Sequence, residues 1–179
     1  MKRASTISVF LILLFAIAVS AQAQIQMSKP GPELKKLDFL AGIWTMDGEL
    51  KPSPMGGGGK ITGTDQIEWM DGGYFLVWHS KVTSGVMGNF SATAYMGYNT
   101  NDKVYTYDDF NSMGEAEHSK GTIDGDIWTW VADEKVGGTT VKGRYTMKIL
   151  SPKAYSFKFE MSEDGTSWTT VMDGKSTKN

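Results

Sequence analysis

From position 52 onward, turn signals recur about every 8–15 residues, and that spacing leaves room for little except short strands. They fall at 52–59, Asp71-Gly72-Gly73, 84–89, 99–102, 111–114, Asp124-Gly125, 133–138, Ser151-Pro152 and Glu163-Asp164-Gly165. Gly and Asp recur in them because tight turns need residues that accept positive φ or bond their own backbone. Between the turns lie runs rich in Trp, Tyr, Phe, Thr and Val, which suit a pleated, half-buried surface. Nine turns separate ten strands. Alternation supports them: Tyr155, Phe157, Phe159 and Met161 share one face, with Ser156, Lys158 and Glu160 on the other. In 141–149, Val141, Tyr145, Met147 and Ile149 oppose Lys142, Arg144, Thr146 and Lys148. One apolar and one polar face describe an antiparallel sheet wetted on one side. A ten-strand meander exposes two edges unless its last strand closes on its first. The expected architecture is therefore all-β, an antiparallel up-and-down β-barrel of about ten strands. A two-sheet sandwich is the alternative.

The N-terminus reads differently. Lys2 and Arg3 precede a 13-residue apolar run at 7–19, and Ala21-Gln22-Ala23 follows. This is the pattern of a secretory signal peptide over 1–23, cleaved after Ala23, and the run is too short for a spanning helix of about 20 residues. A flexible leader at 24–31 and a single barrel domain at 32–179 follow, with no membrane span after signal removal. Pro32 suits a first helical turn. Leu34, Leu37, Phe39 and Leu40, with Gly42 as a stop, predict one short N-terminal helix over 32–41, placed to cap an open end of the barrel. The protein is expected in the periplasm or secreted. It has no Cys, so closure and packing must hold the fold without disulfides. Removing Lys2 and Arg3 leaves 16 basic against 20 acidic residues, net −4, with the basic ones dispersed. That excludes the electrostatic footprint of a nucleic-acid binder.

Gly42-Ile43-Trp44 opens the first strand directly after the helix, and this placement resembles the first-strand motif of lipocalins and other calycin barrels. There the Trp packs across the closed base. The wider pattern is more specific. It comprises 37–44, then Glu68-Trp69-Met70-Asp71-Gly72-Gly73-Tyr74-Phe75-Leu76-Val77, Met96-Gly97-Tyr98-Asn99, and Asp164-Gly165-Thr166-Ser167-Trp168. Over nearly all of the chain after residue 23 it resembles the bacterial exported family DUF1579, which implies a barrel but no defined activity. A short helix with a ten-strand barrel is also similar, more distantly, to nitrobindin-type haem barrels, which hold iron through a His near the C-terminal strands. No His follows His118 here, so no cofactor is expected.

Several motifs bear on chemistry. Gly56-Gly57-Gly58-Gly59-Lys60 looks like a phosphate loop, but Ile61 stands where Ser or Thr would bind magnesium and a strand follows instead of a helix. It reads as a loop at the barrel mouth. Glu115-Ala116-Glu117-His118 suggests a metal cluster, yet Glu117 and His118 point to opposite faces and no second nitrogen ligand lies near. It reads as a solvated strand face, and no metal site is expected. Arg144, the one Arg after residue 23, could fork a ligand carboxylate. Alternation puts it on the polar face, where a surface role stacked on a Trp is the alternative. His79 could bond a ligand or act as a general base. The aromatics and the scattered Met suit a small apolar cavity. The chain is thus expected to bind a small apolar or amphipathic molecule in its lumen, through His79, Arg144, Trp44, Trp69, Tyr107, Phe157 and Phe159. The alternatives are a barrel-type isomerase, cyclase or hydrolase using His79, and an envelope interaction module that binds no ligand.

Overall fold

The structure, a computed structural model, describes residues 29–53 and 56–179. The expected signal segment and its cleavage point lie outside these residues, as does the leader up to residue 28. A short helix α1 (Pro32–Lys36) and a 3₁₀ turn (Leu37–Phe39) precede the strands. These are β1 (Gly42–Leu50), β2 (Gly59–Trp69), β3 (Leu76–Ser84), β4 (Gly88–Asn99), β5 (Val104–Asn111), β6 (Ala116–Asp124), β7 (Ile127–Val136), β8 (Thr139–Ser151), β9 (Ala154–Ser162) and β10 (Thr169–Lys178). Each pairs antiparallel with its neighbours in sequence, and β1 pairs with β10, Trp44 opposite Lys178 and Leu50 opposite Met172. The sheet is one closed barrel, not a sandwich. Closure removes the two edges that a meander would leave bare.

The strands follow the turn chemistry closely. The turn expected over 133–138 contracts to Gly137-Gly138, because β7 continues to Val136 and both glycines hold positive φ (57° and 86°). Two positive φ values in succession define the tight hairpin that Gly-Gly makes without strain. The β1–β2, β3–β4, β5–β6, β7–β8 and β9–β10 connections gather at one end, the mouth. The others gather with α1 at the base.

The base is where the core is densest. The single helix expected over 32–41 is α-helical only to Lys36 and then tightens. Leu34, Leu37 and Leu40 recur every three residues, and a 3₁₀ turn eclipses side chains at that spacing. All three are buried, Leu37 and Leu40 completely. Trp44 is fully buried above them, and its indole N–H donates to the Leu40 carbonyl at 2.7 Å. Phe39 packs on Trp44, Trp128 and Tyr155 at centroid distances of 5.2, 5.8 and 6.3 Å. Polar ties fix the plug to the barrel. Trp69 Nε1 donates to Asp38 Oδ1 (2.9 Å), the Tyr105 hydroxyl to the Glu33 carbonyl (3.1 Å) and Lys178 Nζ to the Phe39 carbonyl (2.7 Å). Among the described residues, no helix is long and apolar enough to cross a membrane.

Candidate functional site: the barrel lumen

Above the base plug the inward side chains leave a cavity of about 300 Å³. Its wall is mainly aromatic and thioether: Met46, Trp78, Met96, Tyr107, Trp130, Tyr145, Met147, Tyr155, Phe157, Phe159 and Met172, with Val82. Four smaller or charged groups interrupt it, Asp65, Ser80, Glu117 and Ser119. Each arrives by the two-residue strand period. Ile61, Asp65 and Ile67 of β2 are buried, and on β6 Glu117 and Ser119 share the inward face with Gly121. Glycines shape the wall where large rings need space. A Cβ on Gly121 would come within 2.5 Å of Trp130 Nε1, and one on Gly174 within 2.5 Å of Phe157 Cζ.

The electrostatics are those of carboxyls deprived of water. Asp65 is 6% exposed and accepts a 2.6 Å hydrogen bond from Ser80 Oγ. Burial raises its carboxyl above the ordinary range, and the Ser80 and Trp78 hydrogen bonds offset part of that rise. Glu117 is pushed up to about 7, first by burial and then by the like charges of Glu134 and Asp109. Burial also raises Asp109 on β5 and Glu134 on β7, so an arc of three acids runs along the mouth side of β5–β7. The phenols of Tyr107 and Tyr145 are driven well above their usual value, chiefly by burial, and remain neutral hydrogen-bonding groups. Among the described residues, those lining the cavity include no Lys, Arg or His.

Of the residues expected to bind a ligand, Tyr107, Phe157 and Phe159 line this cavity. Trp44 and Trp69 sit below it, bonded into the base plug. His79 and Arg144 lie on the outer face, because Trp78 and Ser80 on β3, and Tyr145 on β8, take the inward positions beside them. His79 is exposed, its Nδ1 3.1 Å from Thr93 Oγ1. Arg144 stacks over the Trp168 ring at 3.9 Å and bonds Glu160 Oε2 through Nε (3.0 Å) and Nη2 (2.8 Å). Burial works against the Glu160 carboxylate, but Lys158 and Arg144 outweigh it and hold its pKa below the ordinary value. This cluster fastens β8, β9 and the β9–β10 turn from outside. Arg144→Ala is expected to cost about 1–2 kcal/mol in urea unfolding, from a charge-assisted bond and a cation–π contact. Arg144→Lys should recover less than half, since an ammonium lacks the planar fork.

The reading of 115–118 as a solvated face needs correction. His118 is exposed and meets Asp108 at 2.7 Å on the outside, but Glu117 turns inward to the lumen. Sequence reasoning also passed over Asp65, and it placed Trp78, Trp130, Tyr145 and Tyr155 among the core or cavity residues without singling them out as ligand contacts. Asp65 carried a signal, since it falls in the alternating row of Ile61 and Ile67. Among the described residues, no group of three or more His, Asp or Glu is placed to hold a metal ion. With both histidines on the outer face, the lumen offers no imidazole to a haem iron.

Closure of ten antiparallel strands around a cavity, with a short helix plugging one end, defines a lipocalin-like up-and-down barrel. The chain belongs to the family described as "Protein of unknown function (DUF1579)", whose sequence profile matches residues 29–178. Its fold is similar to the crystal structure of Rv2717c from M. tuberculosis, with a TM-score of 0.59 and 15% sequence identity. The match covers 84% of this chain and 99% of that one. No curated protein matches it in sequence.

Proposed function

We propose that this protein binds a small, largely apolar molecule inside the barrel, after export to the periplasm or beyond the cell. The observation that carries the reading is the cavity itself: about 300 Å³, aromatic-walled, with a few convergent polar groups. That is the composition of a small-molecule site, at the small end of the usual size range. Burial of apolar surface supplies the affinity, and Asp65, Ser80, Tyr107 and Glu117 supply orientation. Export rests on the charged, apolar and small-residue regions of 1–23. The enzyme reading required His79 in the cavity beside a proton-transfer partner, and its outward position gives that reading no support.

The test is a filled lumen. N-phenyl-1-naphthylamine, a neutral apolar fluorophore, is expected to brighten on titration with the protein. Met46→Trp and Met172→Trp, on the neighbouring strands β1 and β10 of the wall, should each weaken that binding by at least about tenfold while the far-UV spectrum stays unchanged. Unchanged binding in both would place the fluorophore outside the lumen and overturn the reading. Native mass spectrometry of protein from its own host would then show what occupies the cavity in the cell.

A further inference from the structure

We propose that the lumen selects a small ring-bearing amine, its protonated nitrogen held by the cavity-facing carboxyls of Asp65 and Glu117 and its ring among Trp78, Tyr107, Trp130 and Tyr145. The inference rests on the binding role above and adds the charge of the ligand. Its first support is an imbalance. Carboxyls face the cavity, yet the side chains lining it include no cation. Arg144 is committed to Glu160 on the outer face and Lys178 to the Phe39 carbonyl at the base. A buried carboxylate without a counter-ion is costly, and a bound ammonium removes that cost.

The aromatic wall adds a support independent of the acids. Trp130 is 4% exposed, lines the same cavity, and its indole N–H has no hydrogen-bond partner among the described residues. That nitrogen is packed against β6, where a Cβ on Gly121 would come within 2.5 Å of it, so the indole meets an occupant through its ring. The wall chemistry agrees, since Trp and Tyr faces attract a desolvated cation. An anionic amphiphile such as a fatty acid fits poorly. Its carboxylate would meet Asp65 and Glu117 inside, and Asp109 and Glu134 along the mouth side, with no cation among the described lining residues to receive it.

Three probes share one ring and differ in the head group: tyramine, 4-ethylphenol and 3-(4-hydroxyphenyl)propionate. By calorimetry near pH 8, tyramine is expected to bind at least about tenfold more tightly than 4-ethylphenol, with the propionate weakest. Glu117→Gln and Asp65→Asn should each weaken tyramine by about tenfold and leave 4-ethylphenol within about twofold. Tyramine affinity should also rise from about pH 5 to about pH 8, and this rise should vanish in Glu117→Gln. The groups acting on Glu117 are Asp109 and Tyr107 from β5 and Glu134 from β7, with Ser119 and His118 on its own strand. Equal affinity for tyramine and 4-ethylphenol, or a preference for the propionate, overturns the amine selectivity while leaving lumen binding intact. Tyramine binding indifferent to both substitutions also overturns it. Binding of none of the three, with N-phenyl-1-naphthylamine still bound in the lumen, overturns the amine selectivity alone. The head-group series uses the unsubstituted protein, so it decides even if a variant fails to fold.

Discussion

Replacing Glu117 with glutamine is expected to stabilise the protein near pH 8 and to leave it unchanged near pH 4. The folded carboxyl titrates at about 7 against an ordinary value of 4.5. Below 4.5 it is protonated in both folded and unfolded chains and contributes no difference. Between 4.5 and 7 the unfolded chain releases a proton that the folded chain retains, so folded stability falls as pH rises through that window. Above 7 both are ionised and the whole cost of holding the charge in the lumen is present. A rise of this size corresponds to about 3 kcal/mol at most, and water reaching the mouth reduces it to about 1–3 kcal/mol. The substitution removes this cost and also relieves Glu134 and Asp109, which lie within its field. Urea melts at about pH 4, 6 and 8 would show the difference between variant and parent growing with pH. An equal effect at all three would mean that Glu117 is not the strained carboxyl.

Trp44→Ala should be the most damaging single change in the barrel. The side chain is fully buried, touches Phe39 and Tyr155, and caps the Leu40 carbonyl through its indole N–H. Lys178 Nζ also lies 5.0 Å from its ring centroid, on the strand that closes the barrel. Truncation leaves a cavity and an unsatisfied carbonyl at once, so a loss of about 3–5 kcal/mol is expected. For a domain of this size that is a fall in Tm of about 10 °C or more. Thr45→Ala, one residue along on the outer face, should change stability by less than about 0.5 kcal/mol. Similar effects at both positions would remove the base plug as the stabilising unit.

The barrel was legible because its determinants are local. Turn residues such as Gly137-Gly138 and the row Tyr155, Phe157, Phe159 state their roles within a few positions. The site was less so, because it is assembled from all ten strands, whose registers no short window contains. His79 and Arg144 drew attention by rarity, yet the face of a strand residue depends on parity, and parity placed both outside. Parity also exposes Asp65, an acid in a row of Ile. Glu117 was harder to see: its row continues as Ser119 and Gly121, which reads as polar until the ring of Trp130 is found resting on the glycine.

The β1–β10 seam has a consequence for how the molecule is made. β10 is the last barrel strand to leave the ribosome, and its partner β1 is the first. Thr45 and Asn179, whose side chains meet across the seam, are 134 residues apart. No earlier pairing can complete the ring, so folding waits on the most distant contact in the chain, and such topologies fold slowly. Until then β1 and β9 each present a bare edge to any other strand nearby. The ten residues of β10 therefore do more than fill a place in the sheet: their arrival withdraws the nine strands before them from association with other copies of the chain.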